Sequence, residues 1–293
     1  MNPSERQIAE HHAAAQKALQ QGLLREVHQH CRAILKIDSS FADAWFLCAV
    51  IAANNGQTAK AVEILDQAVD LAPQNPEYRT ELGEQLIALD SPEKALHQAE
   101  LALGLNPTAP TTLHTLGTVF SHTGEHHKAL ACYEQAARTL RERGRGKDGF
   151  SAQWLAHFHF NHAASLQFAG RLDAAEEAYE HAIELEPHMF KAHSALSSLR
   201  RQTPSSNHLA RLQALRAETT SARDQLHLGH AIAKELEDLE QYQEAFASLE
   251  WAKQRRAAEV NFSIDSQSQY FSGIERLFDR DVFATTRACC DSS

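Results

Sequence analysis

Residues 42–75 read ADAWFLCAVIAANNGQTAKAVEILDQAVDLAPQN. Across these 34 residues Trp45 stands at position 4, Ala49 at 8, Gly56 at 15, Ala61 at 20, Ala68 at 27 and Pro73 at 32. The pattern predicts a helix, a turn at the glycine, and a second helix closed by the proline. Alanine at 8, 20 and 27 marks the places where helices approach most closely. A larger side chain there would overpack the contact at a cost of about 1–3 kcal/mol. Gly56 supplies the turn, and Pro73 ends the second helix because it has no amide donor and clashes with the preceding turn. Trp45 fills the hole that the small residues leave.

The frame recurs without insertion. Residues 76–109 place Leu82, Gly83, Ala95, Ala102 and Pro107 in register, and residues 110–143 place Leu116, Gly117, Phe120, Gly124, Ala129, Tyr133 and Ala136. Three consecutive units in one register resemble the tetratricopeptide family, whose repeat is 34 residues of helix, turn and helix. The fold this implies is an all-α, right-handed superhelical solenoid of antiparallel helix pairs.

Working outward, the first unit spans about residues 8–41 and is weaker: Ala15 and Gly22 hold their places, but Val27 and Ile34 replace the expected alanines. Terminal repeats are often atypical because one face meets solvent, so this unit reads as an N-terminal cap. After Ala136 the frame breaks. The segment 138–149, RTLRERGRGKDG, carries five basic residues and three glycines, and an inserted loop is expected over 142–150. Such a charge run is ordinarily a solvated loop, with contact to phosphate or an acidic partner as the alternative. The frame resumes over 156–189 with Ala163, Leu166, Gly170, Ala175, Tyr179, Ala182 and Pro187, its first helix starting early, near Ser151.

A further first helix at 190–201 has no direct partner, because residues 202–208 interrupt the frame at Thr203 and Pro204. A short amphipathic helix follows, with Leu209, Leu212 and Leu215 on one stripe. The last unit covers 226–259 with Ala233, Leu236, Tyr242, Ala245, Leu249 and Ala252 in register, giving a solenoid over 1–259. Residues 260–293 then form a capping or linker helix and a polar tail, the helix carrying Phe271, Ile274 and Phe278 at spacings of three and four.

Composition agrees. The 293 residues are 43% hydrophobic with only 12 Gly and 8 Pro, which suits a helical solenoid that grows by adding repeats. The net charge of −10 argues against general affinity for nucleic acid or anionic membrane. No apolar run reaches about 18 residues, the length of a membrane-helix candidate. The polar start MNPSERQIAEHH does not read as a signal peptide. Five cysteines are spread thinly. Cys31, Cys48 and Cys132 are expected as free thiols in repeat helices, and Cys289 and Cys290 lie in the polar tail, so a reducing cytoplasm is the natural compartment.

A solenoid of this kind binds an extended segment along its first helices, at positions 2, 5, 9, 12 and 13. Those positions here include Phe46, Val50 and Asn54; Glu84 and Ile87; His114, Thr118 and His122; and Phe160, Gln167 and Phe168. The expected ligand is a peptide or protein. The groove lacks the cations by which chaperone-type tetratricopeptide domains hold a C-terminal carboxylate. It also lacks the asparagine ladder of the sugar-transferase type, since position 6 holds Ala13, Leu47, Glu81, Thr115 and Asn161.

Metal binding is the alternative for the histidine pairs His159 and His162, or His227 and His230, but no carboxylate or cysteine completes an obvious set. The acidic pairs Glu176 and Glu177, and Glu237 and Asp238, read as solvated helix surface. No Ser, His and Asp set is placed by a motif, so no catalytic residue, cofactor or metal is expected.

From Ser206 onward the order SNHLARLQAL, then LHLGHAIAKELEDLEQYQEAFASLEWAKQRRA, then a Tyr/Phe-containing helix, is similar to the end of the repeat region in bacterial tetratricopeptide sulfotransferases. Glu237, Asp238, Tyr242, Ala245, Phe246 and Arg255 occupy the matching places, and Glu240 stands where that family more often has glycine. The resemblance implies a following strand and a phosphate-cradling loop, which this sequence does not contain, so no catalytic residue is carried over. The expected role is a protein-interaction scaffold that presents substrate within a sulfotransferase-like polypeptide. The rivals are a free-standing adaptor, in which Phe271, Ile274 and Phe278 pack back on the last repeat, and a self-association module using that same helix.

Overall fold

The computed structural model describes residues 3–143, 149–219, 221–260 and 263–277, among which fifteen α-helices and no strand are found. The chain divides at Pro187 into two compact units. Phe278, Cys289, Cys290 and residues 144–148 of the basic segment lie outside the described residues.

The first unit holds five antiparallel pairs: α1 (Pro3–Gln20) with α2 (Leu24–Ile37), α3 (Ala42–Asn54) with α4 (Thr58–Leu71), α5 (Pro76–Ala88) with α6 (Pro92–Gly104), α7 (Pro110–His122) with α8 (His126–Arg143), and α9 (Ala152–Phe168) with α10 (Leu172–Leu185). Helix starts follow ordinary capping. Pro76, Pro92 and Pro110 occupy first-turn positions, where no amide donor is needed. The Asn75 side chain accepts from the Glu77 amide at 2.9 Å, and Ser151 from the Trp154 amide at 3.1 Å. Each pair turns on a residue with positive φ at position 15. Four are glycines, Gly22, Gly56, Gly124 and Gly170, while Asp90 takes φ 55° with a side chain in place.

Positions 8, 20 and 27 form the seam of the stack. Ala49, Ala61 and Ala68 are fully buried, as are Ala95, Ala102, Ala129, Ala136, Ala163, Ala175 and Ala182. In the first pair Val27 and Ile34 occupy that seam and are equally buried against Ala15 and Cys31. Trp45 is partly buried against the central core, and its indole N–H donates to the Ser39 carbonyl at 2.9 Å. The inserted loop starts later than the sequence implies. Glu142 and Arg143 belong to α8, because no helix breaker occurs before Gly144.

The second unit, from His188, contains α11 (Phe190–Leu199), α12 (Leu209–Leu215) extended by a 3₁₀ turn over Arg216–Glu218, α13 (Ala222–Asp238), α14 (Tyr242–Glu259) and α15 (Ile264–Leu277). Helix α11 is not unpartnered. It packs on α13, and Phe190 shares one core with Leu212 of α12 and with Leu228, Ile232 and Leu236 of α13. Helices α11 and α12 thus both pack on α13 and share its core. Pro204 falls where the turn residue belongs, and Thr203 and Ser206 bond each other's backbone across a tight turn. Gly229 meets α14 so closely that an added β-carbon would lie 2.4 Å from Ala252 Cβ. At the start of α13 the Ser221 hydroxyl accepts from the Asp224 amide at 3.1 Å.

Candidate functional site

The first helices α3, α5, α7 and α9 carry the predicted groove residues, and neighbouring repeats tie several of them down. Phe46 stacks on Tyr78 at 4.8 Å between α3 and α5, and the Tyr78 hydroxyl donates to the Asp43 carboxylate. Val50 is half-buried, and its carbonyl accepts from the exposed Asn54 side chain at 2.8 Å. Glu84 and Ile87 are half-buried on α5.

His114 sits within 6 Å of the rings of Tyr133, Trp154 and Phe158, and Asn161 Nδ2 donates to its Nε2 at 3.0 Å. Burial first, and the charge of His157 second, pull its pKa down to about 4, which suits a neutral imidazole accepting that hydrogen bond. Thr118 donates to the His114 carbonyl and lies 3.2 Å from the Tyr133 hydroxyl. Gln167 accepts from the Tyr179 hydroxyl at 3.0 Å, and Phe160 lies 5.7 Å from the Tyr179 ring. His122 is exposed at the end of α7. Phe168, 71% exposed, lies flat on His126 at 4.2 Å with 7° between planes. Thus His114, Thr118 and Gln167 belong largely to the joints between helices, and Asn54, His122 and Phe168 are the most exposed of the set.

The same face holds acids that the groove positions alone understate. Asp43 lies in the first turn of α3, and Glu77, Glu81 and Glu84 follow at i, i+4 and i+7 along α5. Glu81 accepts from Gln85 Nε2 at 3.0 Å. Burial and then the charge of Glu84 raise its pKa to about 7. Burial also raises Glu84, and Glu77 is raised by burial, then by Asp43 and Glu81. The only ion-pair contact described for Asp43 is His12 Nε2 at 3.4 Å. The signal was present in the sequence as acids at positions 2, 6 and 9 of one repeat, of which the groove positions 2 and 9 take in Glu77 and Glu84 and leave out Glu81.

The outer helices behave differently. Lys128 pairs with Glu100 of the preceding repeat at 2.8 Å and with Glu125 at 3.2 Å, and Arg171 pairs with Glu134 in the same sense. Lys94 lowers the pKa of Asp66 one repeat earlier, against a larger rise from burial and Asp70. Acids at position 25 on the outer face thus have a cation from the next repeat.

No group of three or more His, Cys, Asp or Glu side chains among the described residues is arranged to hold a metal ion. His159 and His162 instead lie among rings, with His181 and with Tyr133 and Phe158 respectively, and burial lowers each to about 4. Cys31 and Cys48 are neighbouring free thiols: the hydrogen bond to Cys48 raises Cys31 and lowers Cys48. Burial pushes Cys132 up to about 11. Among the described residues no helix is long and apolar enough to cross a membrane.

The residues matching the sulfotransferase pattern divide between support and surface. Asp238 accepts from the Gln202 amide at 2.8 Å and pairs with Lys234 at 2.6 Å, and Ala245 is buried. Tyr242 and Phe246 are each 63% exposed on α14, and Glu240 turns with φ 63°. On α15, Phe271 is 60% exposed and Ile274 half-buried.

Three family profiles described as tetratricopeptide repeat match, over residues 18–82, 112–147 and 156–189. Human protein O-mannosyl-transferase TMTC1 is 25% identical over 144 residues, which are 48% of this chain and 16% of that protein. Among solved structures, the Cut9-Hcn1 hetero-tetramer of the APC/C aligns with a TM-score of 0.57 at 17% identity, over 84% of this chain and 42% of that one. Pseudomonas aeruginosa PilF aligns with a TM-score of 0.53 at 18% identity, over 76% of this chain and 99% of that one. The chain therefore spans less than half the length of the human relative and of the Cut9-Hcn1 chain. The sulfotransferase resemblance has no counterpart among these matches. Together the profiles and the two folds establish that the chain is an all-helical solenoid carrying tetratricopeptide repeats.

Proposed function

We propose that the protein is a non-catalytic scaffold that binds a peptide or protein segment along the first-helix face of residues 42–168. The observation that carries this reading is the difference between the two faces. On the outer face, acids at position 25 meet cations from the next repeat. The first-helix face instead leaves Asn54, His122 and Phe168 open beside half-buried Phe46, Val50 and Ile87. A mixed strip of apolar and polar side chains on rigid helices is what an extended ligand needs for anchoring and register. The free Cys31, Cys48 and Cys132 fit a reducing compartment such as the cytoplasm.

Panning the full chain against a phage-displayed dodecapeptide library tests the reading. Selected peptides should bind Asn54→Ala/His122→Ala/Phe168→Ala at least tenfold more weakly, and an outer-face Glu63→Gln variant unchanged. Equal binding to all three proteins would place the ligand elsewhere.

A second reading is favoured by Tyr242 and Phe246, which stand one turn apart and exposed on the last repeat helix. Such a pair suits a following segment of the same polypeptide, as in a sulfotransferase-like protein whose repeats present substrate. The intact mass of the endogenous protein decides. A value near 32.6 kDa removes this reading, and one about twice as large calls for a sulfotransferase assay.

A further inference from the structure

The first-helix face has a charge pattern that names its ligand's chemistry. At positions 2, 5, 6, 9, 12 and 13 of the first five repeats there is no lysine or arginine. On the same face, Asp43, Glu77, Glu81 and Glu84 cluster around α3 and α5. The one arginine of α5, Arg79, is turned away, donating to the Pro73 carbonyl at 2.9 Å and to Gln98 of α6 at 3.0 Å. Glu77 with Glu81, and Glu81 with Glu84, are like-charge pairs one helical turn apart, each costing about 0.2–0.5 kcal/mol in a helix. Burial raises the pKa of all three, Asp43 and Glu81 add to the rise at Glu77, Glu84 adds to that at Glu81, and no ion pair from a lysine or arginine is seen on them among the described residues. The outer face shows the contrast, because there Lys128 and Arg171 neutralise the acids of the preceding repeat.

Apolar anchors lie beside the acids. Phe46 stacked on Tyr78 borders Asp43, and Ile87 is half-buried one turn beyond Glu84. From Glu77 to Glu84 the row is about 10 Å long at 1.5 Å per residue, the span of roughly three residues of extended chain.

We propose that the face of α3, α5 and α7 holds an extended peptide segment bearing lysine or arginine. Its cationic side chains lie against Asp43, Glu77, Glu81 and Glu84, and its apolar ones against Phe46 and Ile87. This rests on the peptide-binding reading above and adds the ligand's class. Bound cations supply the counter-charge that the chain omits, and water excluded by the peptide strengthens each pair. Binding weakens with salt, because the pairs are only half-buried.

Fluorescence anisotropy with the full chain tests it. The probes are a fluorescein-labelled nonapeptide alternating lysine with leucine and its glutamine-for-lysine counterpart, each at 50 and 300 mM NaCl. The lysine peptide should bind at least tenfold tighter than the glutamine peptide at low salt. Glu81→Gln/Glu84→Gln should lose at least fivefold for the lysine peptide alone. Glu177→Gln/Glu184→Gln, which removes the same charge from the acidic outer helix α10, should lose less than twofold. Circular dichroism melting of both variants confirms that they are folded.

Equal affinity for the two peptides overturns the cationic ligand while leaving the peptide-binding reading to the panning experiment. Equal loss in the two variants overturns it as well, showing attraction to net charge and not to this face. If neither peptide binds, the cationic ligand is overturned. Panning that still returns neutral or acidic sequences would then show that the peptide-binding reading survives without it.

Discussion

A β-carbon built on Gly117 would lie 2.6–2.8 Å from three ring atoms of Tyr133, which is itself buried and reaches Thr118 with its hydroxyl. At the same repeat position Gly83 offers ordinary contact, 3.4 Å to the Ala95 carbonyl and 3.6 Å to Val119. Gly117→Ala should therefore cost about 1–3 kcal/mol, by forcing the ring off its rotamer or the helices apart. Gly83→Ala should gain up to about 1 kcal/mol of helix propensity. Thermal unfolding followed at 222 nm checks the pair, and movement of both variants in one direction would contradict the distinction. The turn residues give a second test. Glu240 and Asp90 hold φ 63° and 55°, a region that costs side chains other than glycine about 1–2 kcal/mol, with aspartate the better tolerated. Glu240→Gly should raise the melting temperature, and more than Asp90→Gly does. A fall with Glu240→Gly would mean that its side chain contributes more than its backbone strain costs.

Beside the apolar core it shares with α11 and α12, helix α13 is tied to α11 and to the start of α12 by a buried carboxylate. Glu235 is fully buried and accepts from the Ser197 hydroxyl at 2.6 Å, the His208 amide at 2.6 Å and, on the ring, His208 Nδ1 at 2.8 Å. Burial alone would raise its pKa, but the hydrogen bonds from His208 and Ser197 outweigh it and hold the carboxylate below its ordinary range. A depressed folded pKa contributes stability that is present above the unfolded value of about 4.3 and is lost as pH falls through the folded one. Glu235→Gln faces the His208 donor with an amide and should cost about 2–4 kcal/mol at pH 7. The gap to the wild type should close by pH 3. A gap independent of pH would assign the loss to packing. At this scale the sequence is informative unevenly. The seam alanines and the glycine turns are visible because each repeat restates them. The helix at 190 looked solitary because Pro204 and Leu209 occupy positions where a glycine and an alanine signal a pair. Its partner is recognisable only once Phe190, Leu212 and Leu228 share a core. The groove numbering names residues of one face but not which of them are tied into helix joints and which stay exposed. Whether His114 meets a ligand or Asn161 depends on contacts 47 residues apart, which periodicity does not encode.

Across the first unit, buried groups of opposite sign make folding respond to pH in two directions. His159 and His162 are held neutral by burial, then by other cationic groups, with pKa values near 4 against about 6.5 unfolded. Between those values the unfolded chain binds the extra protons, so acidification from pH 7 to pH 5 costs stability. Glu81 is the reverse: its folded pKa of about 7 exceeds the unfolded value near 4.3, so the folded chain binds the extra proton and acidification relieves a penalty. Glu81 retains some contact with water, and its relief is discounted to about 1–2 kcal/mol. Two substitutions separate these contributions. His159→Gln/His162→Gln should flatten the decline in melting temperature between pH 7 and pH 5, whatever its effect at pH 7. Glu81→Gln should be more stable than the wild type at pH 8 and equal to it near pH 4.5, which makes its own decline on acidification steeper. Melting curves of the three proteins at half-unit steps from pH 4.5 to 8 give both slopes. Parallel curves would show that these groups titrate alike in the folded and unfolded chains, and would remove the electrostatic tension that leaves the first-helix face in want of a cation.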